Sequence, residues 1–369
     1  MIYLDHNATA PPHPKAIKAV NDIIKSPLNP SSIHSLGRKG KSILEQSRLA
    51  IAELLGFDDN FRDYQVVFTS SGTEANNLVL NNFKPEEIFI AATEHHSIYS
   101  FKQKYANVNI IRVLKNGILD LDHLEELLCN SKAKDKLVSV MLANNESGII
   151  QPIKKIANLA HKYTAYMHSD CVQAIGKMKV NITDLNLDFM SISAHKFGGI
   201  IGAGALIYHT PIKMKASIIG GGQERGMRSG TENITAIASM GAAAGAASEE
   251  LDKRIQNFKK LQGFLEKEVQ KITPDIEIIG QDIDRIPNTS LIINNKKAAQ
   301  LQIINFDRQG VFISSGSACS SGKVGKSHVL SAMGYSDDQA KCAIRISSGV
   351  NTSEQDIKEF LTIYKTLNE

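Results

Sequence analysis

The sequence predicts an α/β protein with a large domain built on a mostly parallel sheet, followed by a smaller α+β domain. Its 369 residues exceed the usual size of one domain, and 42% of them are hydrophobic, which is enough for a sizeable core. Short apolar runs alternate with helical patterns between residues 65 and 208. A long alanine-rich stretch then separates them from a second set of strands and helices.

The runs predicted as strands of the large sheet are rich in β-branched and aromatic residues. They cover residues 65–69, 88–92, 137–142, 165–168, 189–193 and 205–208. Ligands of parallel sheets bind at the carboxyl ends of the strands, so the residues that follow each run are candidates for a functional site.

Residues 233–272 contain no proline, and their first half contains few β-branched residues. This composition favours one long helix leaving the sheet domain. Beyond this helix the patterns predict a smaller α+β unit that ends in a helix at residues 353–367. Its other elements are strands at 289–294, 311–314 and 342–347 and a helix at 297–309.

Composition excludes several classes of protein. The net charge of +4 is too small and too dispersed for nucleic-acid binding, and no apolar run reaches the roughly 20 residues that span a bilayer. We expect no nucleic-acid partner, no membrane segment and a cytoplasmic location, since no secretory signal is visible. The four cysteines, Cys129, Cys171, Cys319 and Cys342, form no CxxC pair, so a disulfide framework is not expected.

A lysine and a carboxylate follow two of the predicted strands. Lys196 comes after the strand 189–193, and Asp170 comes after the strand 165–168. A pyridoxal phosphate (PLP) site needs this pair, because the lysine forms a Schiff base and the carboxylate keeps the ring nitrogen protonated. Either residue alone is more often a surface lysine or a loop aspartate.

Residues 70–76 (Ser-Ser-Gly-Thr-Glu-Ala-Asn) follow the first of these strands and open a helix. Small residues and hydroxyls at a helix N-terminus suit a phosphate, although a plain capping sequence looks the same. Three strand ends thus supply a lysine, a carboxylate and an anion cradle, which together are the parts of a PLP site.

Other strand ends carry weaker signals. His95 could stack on an aromatic ring or transfer protons, or it could be structural. The amides of residues 144–145 and of Gln173 could hold a cofactor oxygen.

Two glycine-rich segments remain. Residues 314–327 place nine Gly and Ser residues around Cys319, close to Lys323 and Lys326, which favours an exposed, reactive thiol over a buried one. The loop 220–231 suits an anion or a subunit contact, or it is simply a flexible surface loop.

Several motifs occur in one order along essentially the whole chain: residues 3–11, 29–34, 71–76, 93–95, 144–146, 193–196, 225–231 and 314–319. In these motifs the sequence resembles the class V aminotransferase-fold PLP enzymes, specifically the NifS/IscS-type cysteine desulfurases. The resemblance implies a PLP-dependent transferase (aspartate aminotransferase-like) fold. It also implies a large PLP-binding domain at 15–249 and a small domain formed by 1–14 and 250–369.

The activity implied by the resemblance is removal of sulfur from L-cysteine, giving L-alanine and a persulfide on Cys319. The persulfide would then pass to a sulfur-acceptor protein for iron–sulfur cluster or other thio-cofactor biosynthesis. The resemblance also implies a homodimer and no metal.

Residue roles follow from the same resemblance. Lys196 would carry PLP, Asp170 would face the pyridine nitrogen, Gln173 would meet the ring hydroxyl, and His95 would stack on the ring and transfer protons. Positions around the phosphate would be Gly72, Thr73, Ser193, His195 and, from the other subunit, Thr231. Asn145 would contact cofactor or substrate, Arg345 would hold the substrate carboxylate, and Cys319 would accept the sulfur.

Three alternatives stay open. The first is a selenocysteine lyase, which is a related activity. The second is a transaminase, although transamination needs no thiol such as Cys319. The third is a non-catalytic sulfur-transfer scaffold, although a scaffold would not need residues that let a PLP ring accept electrons.

Overall fold

The structure is a computed structural model that describes residues 1–57, 62–83, 86–316 and 326–368. Its strands are β1 (Ile2–Tyr3), β2 (Tyr64–Thr69), β3 (Glu87–Ala91), β4 (Val108–Ile111), β5 (Lys136–Ser139), β6 (Ala165–Asp170), β7 (Phe189–Ser193), β8 (Gly204–His209), β9 (Glu277–Ile278), β10 (Thr289–Ile293), β11 (Val311–Phe312), β12 (Ser314–Ser315) and β13 (Ala343–Ser347).

Helices pack against both faces of the larger sheet and against both faces of the smaller one. They are α1 (Pro14–Ile23), α2 (Ser35–Leu55), α3 (Gly72–Phe83), α4 (His96–Tyr99), α5 (Phe101–Lys104), α6 (Leu121–Asn130), α7 (Ile153–Lys162), α8 (Ile234–Ile272), α9 (Ala299–Arg308), α10 (His328–Ala332), α11 (Asp337–Ala340) and α12 (Glu354–Asn368).

The large sheet has seven strands in the order β2-β8-β7-β6-β5-β3-β4. Strands β4, β3, β5, β6 and β7 pair in parallel, whereas β8 pairs antiparallel with both β7 and β2. The predicted α/β class with a mostly parallel sheet is therefore confirmed, and all six predicted strands are present. The edge strand β4, only four residues long, was not predicted.

Alternating residues of each strand enter two different cores, as the period of two requires. In β2, Phe68 belongs to the core shared with α2, α7 and α8, whereas Val67 belongs to the core shared with α3, α4 and α5. In β3, Phe89 and Ile90 divide in the same way. Burial on both faces explains why these strands read as continuous apolar runs in the sequence.

A four-stranded antiparallel sheet, in the order β12-β13-β10-β9, forms a second unit with its own core. The N-terminal strand β1 joins this unit by pairing in parallel with β11. Helix α8 confirms the predicted long helix and connects both units: Ala243 packs in the core of the large sheet, while Leu261 and Val269 pack in the core of the second unit. Among the described residues, no helix combines the length and apolar character needed to cross a bilayer.

Candidate active site

A cavity of about 210 Å³ lies at the carboxyl ends of β6 and β7, beside the first turn of α3. The structure brings most of the predicted site residues together around it: Gly72, Thr73, His95, Asn145, Asp170, Gln173, Ser193, His195 and Lys196. The rule that parallel sheets bind ligands at their carboxyl ends therefore located this cavity.

Lys196 ends a single 3₁₀ turn, Ala194–Lys196, that follows directly on β7. Its Nζ donates to two backbone carbonyls of the N-terminal segment, 2.6 Å from Asn7 O and 2.8 Å from Ala8 O. Backbone oxygens hold the amine without neutralising it, so the lysine stays available for a carbonyl ligand in the cavity.

Asp170 is the last residue of β6 and is 5% exposed. Its Oδ2 accepts a hydrogen bond of 2.7 Å from Asn76 Nδ2, and its Oδ1 accepts one of 3.0 Å from the Val172 amide. Two donors on two different oxygens fix the plane of this carboxylate.

His95 caps helix α4, and its Nδ1 lies 2.8 Å from Ser97 Oγ and accepts from the Ser97 amide at 3.1 Å. Burial lowers the pKa of His95, with the charge of Lys196 acting in the same direction and Asp170 opposing it. The ring is therefore neutral at pH 7, with Nδ1 an acceptor and Nε2 the remaining ring nitrogen. A neutral imidazole can stack on a ring and can accept a proton.

The end of the cavity next to α3 suits an anion. Ser193 Oγ is buried and has no hydrogen-bond partner among the described residues, and the N-terminus of α3 lies beside it. Glycine is required at position 72, because a Cβ there would lie 2.8 Å from Val172 Cγ2 and 3.3 Å from Ser193 Cβ. An orphaned buried hydroxyl at a helix N-terminus is what a bound phosphate oxygen would satisfy.

His195 lies at the same end, and its Nδ1 is 3.0 Å from Thr9 Oγ1. Burial lowers the pKa of His195 to about 4, with the charges of Lys196 and Lys177 acting in the same direction. His195 therefore meets the cavity as a neutral ring with one nitrogen already engaged.

Two predicted residues, Arg345 and Thr231, do not line this cavity. Arg345, in β13, is 1% exposed and donates to Asp5 Oδ1 at 2.6 Å and to the Asn145 carbonyl at 2.9 Å, while its Nε is buried without a partner. Thr231 is exposed on the surface of the chain. Cys319, with Lys323, lies outside the described residues.

The three other cysteines differ in burial. Cys171 is fully buried, and burial raises the pKa of its thiol. Cys342 is partly buried with a raised pKa, whereas Cys129, in α6, is exposed. No group of three or more His, Cys, Asp or Glu side chains able to hold a metal occurs in the part of the chain that the structure describes.

Sequence reasoning missed residues that support the site from behind. Asn76 belongs to the quoted motif 71–76, and its spacing of four from Gly72 on a helix could have revealed it. Asn7 belongs to the motif 3–11, yet nothing in the sequence indicated that it would contact Lys196 and Gln173. Lys177 carried no signal at all.

Two further buried acids stand near the cavity. Glu94 is completely buried, burial raises its pKa well above the ordinary value, and its Oε1 accepts from the Met141 amide. Burial likewise raises the pKa of Glu146 to about 7, and its Oε2 accepts from Ser327 Oγ at 2.6 Å. Both belong to motifs, 93–95 and 144–146, in which the sequence singled out only the neighbouring residue.

Comparison with known proteins agrees with this geometry. The family model described as aminotransferase class-V matches residues 2–360. A cysteine desulfurase IscS from Dictyoglomus turgidum is 35% identical over 380 aligned positions, covering 100% of this chain and 94% of that protein. A cysteine desulfurase from Sinorhizobium fredii is 35% identical, covering 98% of this chain and 95% of its own.

Solved structures are similar over the same length. The X-ray structure of a NifS-like protein from Rickettsia africae superposes with a TM-score of 0.95 at 43% identity, covering 100% of this chain and 99% of that one. A second NifS-like protein gives a TM-score of 0.90 at 28% identity, covering 99% and 98%.

Proposed function

Because this chain belongs to the class-V aminotransferase family, we propose that it is a PLP-dependent cysteine desulfurase. The observation that carries the proposal is the convergence of Lys196, Asp170 and the unpartnered Ser193 hydroxyl on one cavity. Its substrate is L-cysteine and its organic product is L-alanine. The names of the similar proteins favour this activity over a selenocysteine lyase, a transaminase or a non-catalytic scaffold.

The residues present fit PLP at every polar position of that molecule. The Lys196 amine would bind its aldehyde carbon, Asp170 its ring nitrogen and Gln173 its ring hydroxyl, while His95 would cover one ring face. The Ser193 hydroxyl, together with Gly72, Thr73 and His195, would hold the phosphate. When bound, PLP supplies an aldehyde that condenses with amines and a ring that accepts the electron pair released at the substrate Cα.

The chain's own groups hold and move the protons. Asp170, held in place by Asn76 and Val172, would stabilise a proton on the ring nitrogen of bound PLP. Lys196, once its amine is free, takes the proton from the substrate Cα, and the neutral His95 ring lies in the same cavity as a second proton acceptor. Asn145 borders the space left for the substrate, and its carbonyl positions the Arg345 guanidinium.

Arg345 is proposed to hold the substrate carboxylate. Its guanidinium already donates from Nη2 to one oxygen of the Asp5 carboxylate, and this contact with a carboxylate supports the proposal. A cysteine carboxylate would have to replace or share this contact, since Arg345 does not reach the cavity in the described arrangement.

Cys319 is proposed as the sulfur acceptor. Its thiolate attacks the substrate sulfur, an S–S bond forms as the C–S bond breaks, and the electron pair of the broken bond stays on the alanine carbon, which takes a proton. The resulting persulfide passes to a sulfur-acceptor protein that uses it for iron–sulfur cluster or other thio-cofactor assembly. A cytoplasmic location suits this chemistry because reducing conditions keep the thiol free.

We also propose a division into a large domain at 15–249 and a small domain made of 1–14 and 250–369. Two separate hydrophobic cores support it, as does the pairing of β1 with β11. The boundary at residue 249 falls inside helix α8, so one continuous helix would set the relative position of the two parts.

A homodimer is the assembly that we propose. The exposed apolar side chains of Ile201 and Ile219, 75% and 92% exposed, support a covered surface near the loop 220–231. That loop is tied to the start of α3 by an ion pair of 2.8 Å between Arg228 and Glu74. Thr231 is exposed, as a residue that completes the phosphate site of a second copy must be.

The experiment begins with Lys196. Borohydride treatment of the holoenzyme should fix PLP on Lys196, mapped by peptide mass spectrometry, and Lys196→Ala should abolish the labelling. Lys179→Ala, a change of an exposed lysine, is the matched control and should leave it intact. Stable labelling of a different lysine in the wild-type protein would overturn the cofactor assignment.

A second variant tests the thiol. Cys319→Ser should bind PLP and cysteine normally, yet release no sulfide or alanine with a reductant present. Cys129→Ser, which changes an exposed cysteine in α6, should keep full activity. Intact-mass analysis after incubation with cysteine should show one added sulfur in the wild type, and persulfide on a cysteine other than Cys319 would contradict the proposal.

A further inference from the structure

Lys177 is a buried lysine without an acidic partner, directly behind the candidate active site. It is 5% exposed, and among the described carboxylates none has an oxygen within 4 Å of its Nζ. Burying an amine without a counter-charge costs stability, so an apolar side chain here would give a more stable protein unless the amine has a task.

The contacts of the amine are polar but neutral. Lys177 Nζ donates to Gln173 Oε1 at 2.6 Å and to Asn7 Oδ1 at 2.9 Å. Gln173 and Lys177 lie four residues apart on a helical turn, with hydrogen bonds from Ile175 N to Cys171 O and from Met178 N to Ala174 O. This spacing places both side chains on one side of the turn.

Gln173 connects that amine to the cavity. Gln173 lines the cavity, whereas Lys177 does not. Gln173 Nε2 donates at 2.9 Å to the Asn7 carbonyl, which also accepts from Lys196 Nζ. Lys177 therefore lies behind Gln173 with respect to this cavity, and its hydrogen bond to the Gln173 amide oxygen connects the two.

A donor on one side of an amide determines which end faces the other side. The oxygen and the nitrogen of a glutamine amide have nearly the same shape, so only hydrogen-bond partners select between the two orientations. Lys177 Nζ is the donor in its hydrogen bond with Gln173, so the amide oxygen points to Lys177. The amide nitrogen points to the Asn7 carbonyl, the same oxygen that accepts from Lys196 Nζ at the edge of the cavity.

We propose that Lys177 is a positioning residue that holds the Gln173 amide with its N–H₂ group toward the ring oxygen of the cofactor. The inference rests on the proposed PLP-dependent function. An N–H donor stabilises that oxygen in its ionised form, whereas a flipped amide would present its own oxygen and repel it. Orientation of Gln173 by Lys177 thus keeps the cofactor ring in one ionisation state.

Burial and several charged or titratable groups act on the Lys177 amine. Burial lowers the pKa of Lys177 well below its ordinary value, and the positive charges of Lys196 and Arg345 lower it further. The other titratable groups that sense Lys177 are His6 and His195, both with a pKa lowered to about 4.

The test replaces Lys177 by methionine in the holoenzyme. Visible absorbance as a function of pH gives the midpoint at which the lysine-bound cofactor loses its proton, and dialysis gives the PLP dissociation constant. Loss of the donor makes the ring oxygen more basic, so Lys177→Met should raise the midpoint by about one pH unit and weaken PLP binding roughly tenfold. Lys179→Met should change neither value.

Gln173→Ala shows whether Lys177 acts through the amide. This variant should also raise the midpoint, and adding Lys177→Met to it should shift the midpoint by less than about a third of a unit. The melting temperature of the PLP-free protein serves as the control for folding. Should Lys177→Met fail to fold, Lys177→Leu replaces it with the same expected shift.

An unchanged midpoint in a folded Lys177→Met protein would overturn the inference, as would full additivity with Gln173→Ala. A structural role alone would move the melting temperature without moving the midpoint. Absence of any visible PLP band in the wild-type protein would instead refute the proposed function itself, so the two failures are distinguishable.

Discussion

Asp170, the aspartate proposed to face the cofactor nitrogen, is oriented by the Asn76 side chain and the Val172 amide. Asn76 is 1% exposed, and its Nδ2 donates to both Asp170 Oδ2 and Ser97 Oγ. It thereby connects the carboxylate to the turn that carries His95. An isolated carboxylate at a strand end would rotate, whereas this one is held from both sides.

Asn76→Ala should therefore weaken PLP retention. A hydrogen bond to a charged group contributes roughly 1.5–3 kcal/mol, so the dissociation constant should rise by about one to two decades. The measurement is dialysis against a PLP scavenger. Asn82→Ala, at the far end of the same helix, is the control and should retain PLP like the wild type. Equal retention by the two variants would show that Asp170 does not need Asn76.

Burial of Glu146 makes the stability of the folded protein depend on pH. Its side chain is buried, its pKa is raised to about 7 by burial, and the hydroxyl of Ser327 and the charge of Arg345 only partly offset that rise. In the unfolded chain this carboxyl ionises near 4.5. Between these two values the folded protein holds a proton that the unfolded chain has lost, so stability falls as pH rises through this window.

Glu146→Gln should remove that dependence. Relative to the variant, the wild type should lose up to roughly 3 kcal/mol of unfolding free energy between pH 4.5 and pH 7, the size expected for a pKa of about 7. Urea titrations at a series of pH values measure the difference. Glu359→Gln, at an exposed position of α12, should show no such trend. A constant difference between wild type and Glu146→Gln would contradict the prediction.

The loop 220–231 is held to helix α2 by a buried ion pair and to strand β2 by a hydrogen bond. Arg48, in α2, lies 2.7 Å from Glu224, and the two side chains are 4% and 1% exposed. The second oxygen of Glu224 accepts from the Phe68 amide in β2 at 2.7 Å. Left-handed backbone at Glu224 and Arg225, with φ of 49° and 58°, shows that the loop is bent to make this contact.

Glu224→Ala should destabilise the protein by about 3–5 kcal/mol, because it leaves the buried Arg48 guanidinium with only a longer contact to a solvent-exposed carboxylate, that of Glu45. Glu45→Ala removes a second contact of the same arginine, at 3.4 Å, but that glutamate is 44% exposed, so at most about 1 kcal/mol is expected. Denaturant unfolding of both variants measures the contrast. A similar decrease in unfolding free energy for the two variants would mean that burial does not determine how much each ion pair stabilises the protein.

For the whole molecule, the proposed dimer makes cofactor binding and assembly interdependent. Two copies related by a two-fold axis would each complete the other's phosphate site through Thr231. Any ligand held by both subunits stabilises the dimer by mass action. PLP loss and dissociation into monomers are therefore expected together.

Thr231→Ala should release PLP about one to two decades more readily without unfolding the chain, since one hydroxyl donor to a phosphate is lost. Light scattering gives the mass, and dialysis gives PLP retention. Thr210→Ala, an exposed threonine after β8, should behave like the wild type. A monomeric wild type with full PLP occupancy, or a Thr231→Ala variant that retains PLP normally, would refute the shared site.

What could be read from the sequence was local in origin. The strands of the large sheet and the helix α8 follow from periodicity over a few residues, and Lys196, Asp170 and residues 70–76 were found because they follow strands. Strand ends of one parallel sheet share an edge, so these groups had to meet. The resemblance in short motifs then predicted the family, which the comparisons confirm.

Contacts between distant segments were decided only by the tertiary structure. Asn7 joins Gln173 and Lys196, 166 and 189 residues away, and Arg345 meets Asp5 across 340 residues. No periodicity encodes such pairs, because the choice of partner for a buried polar group depends on which segments the fold brings together and on the water they exclude. Lys177 illustrates this best, since in the sequence it is one lysine among many, and only its burial against Gln173 gives it a task.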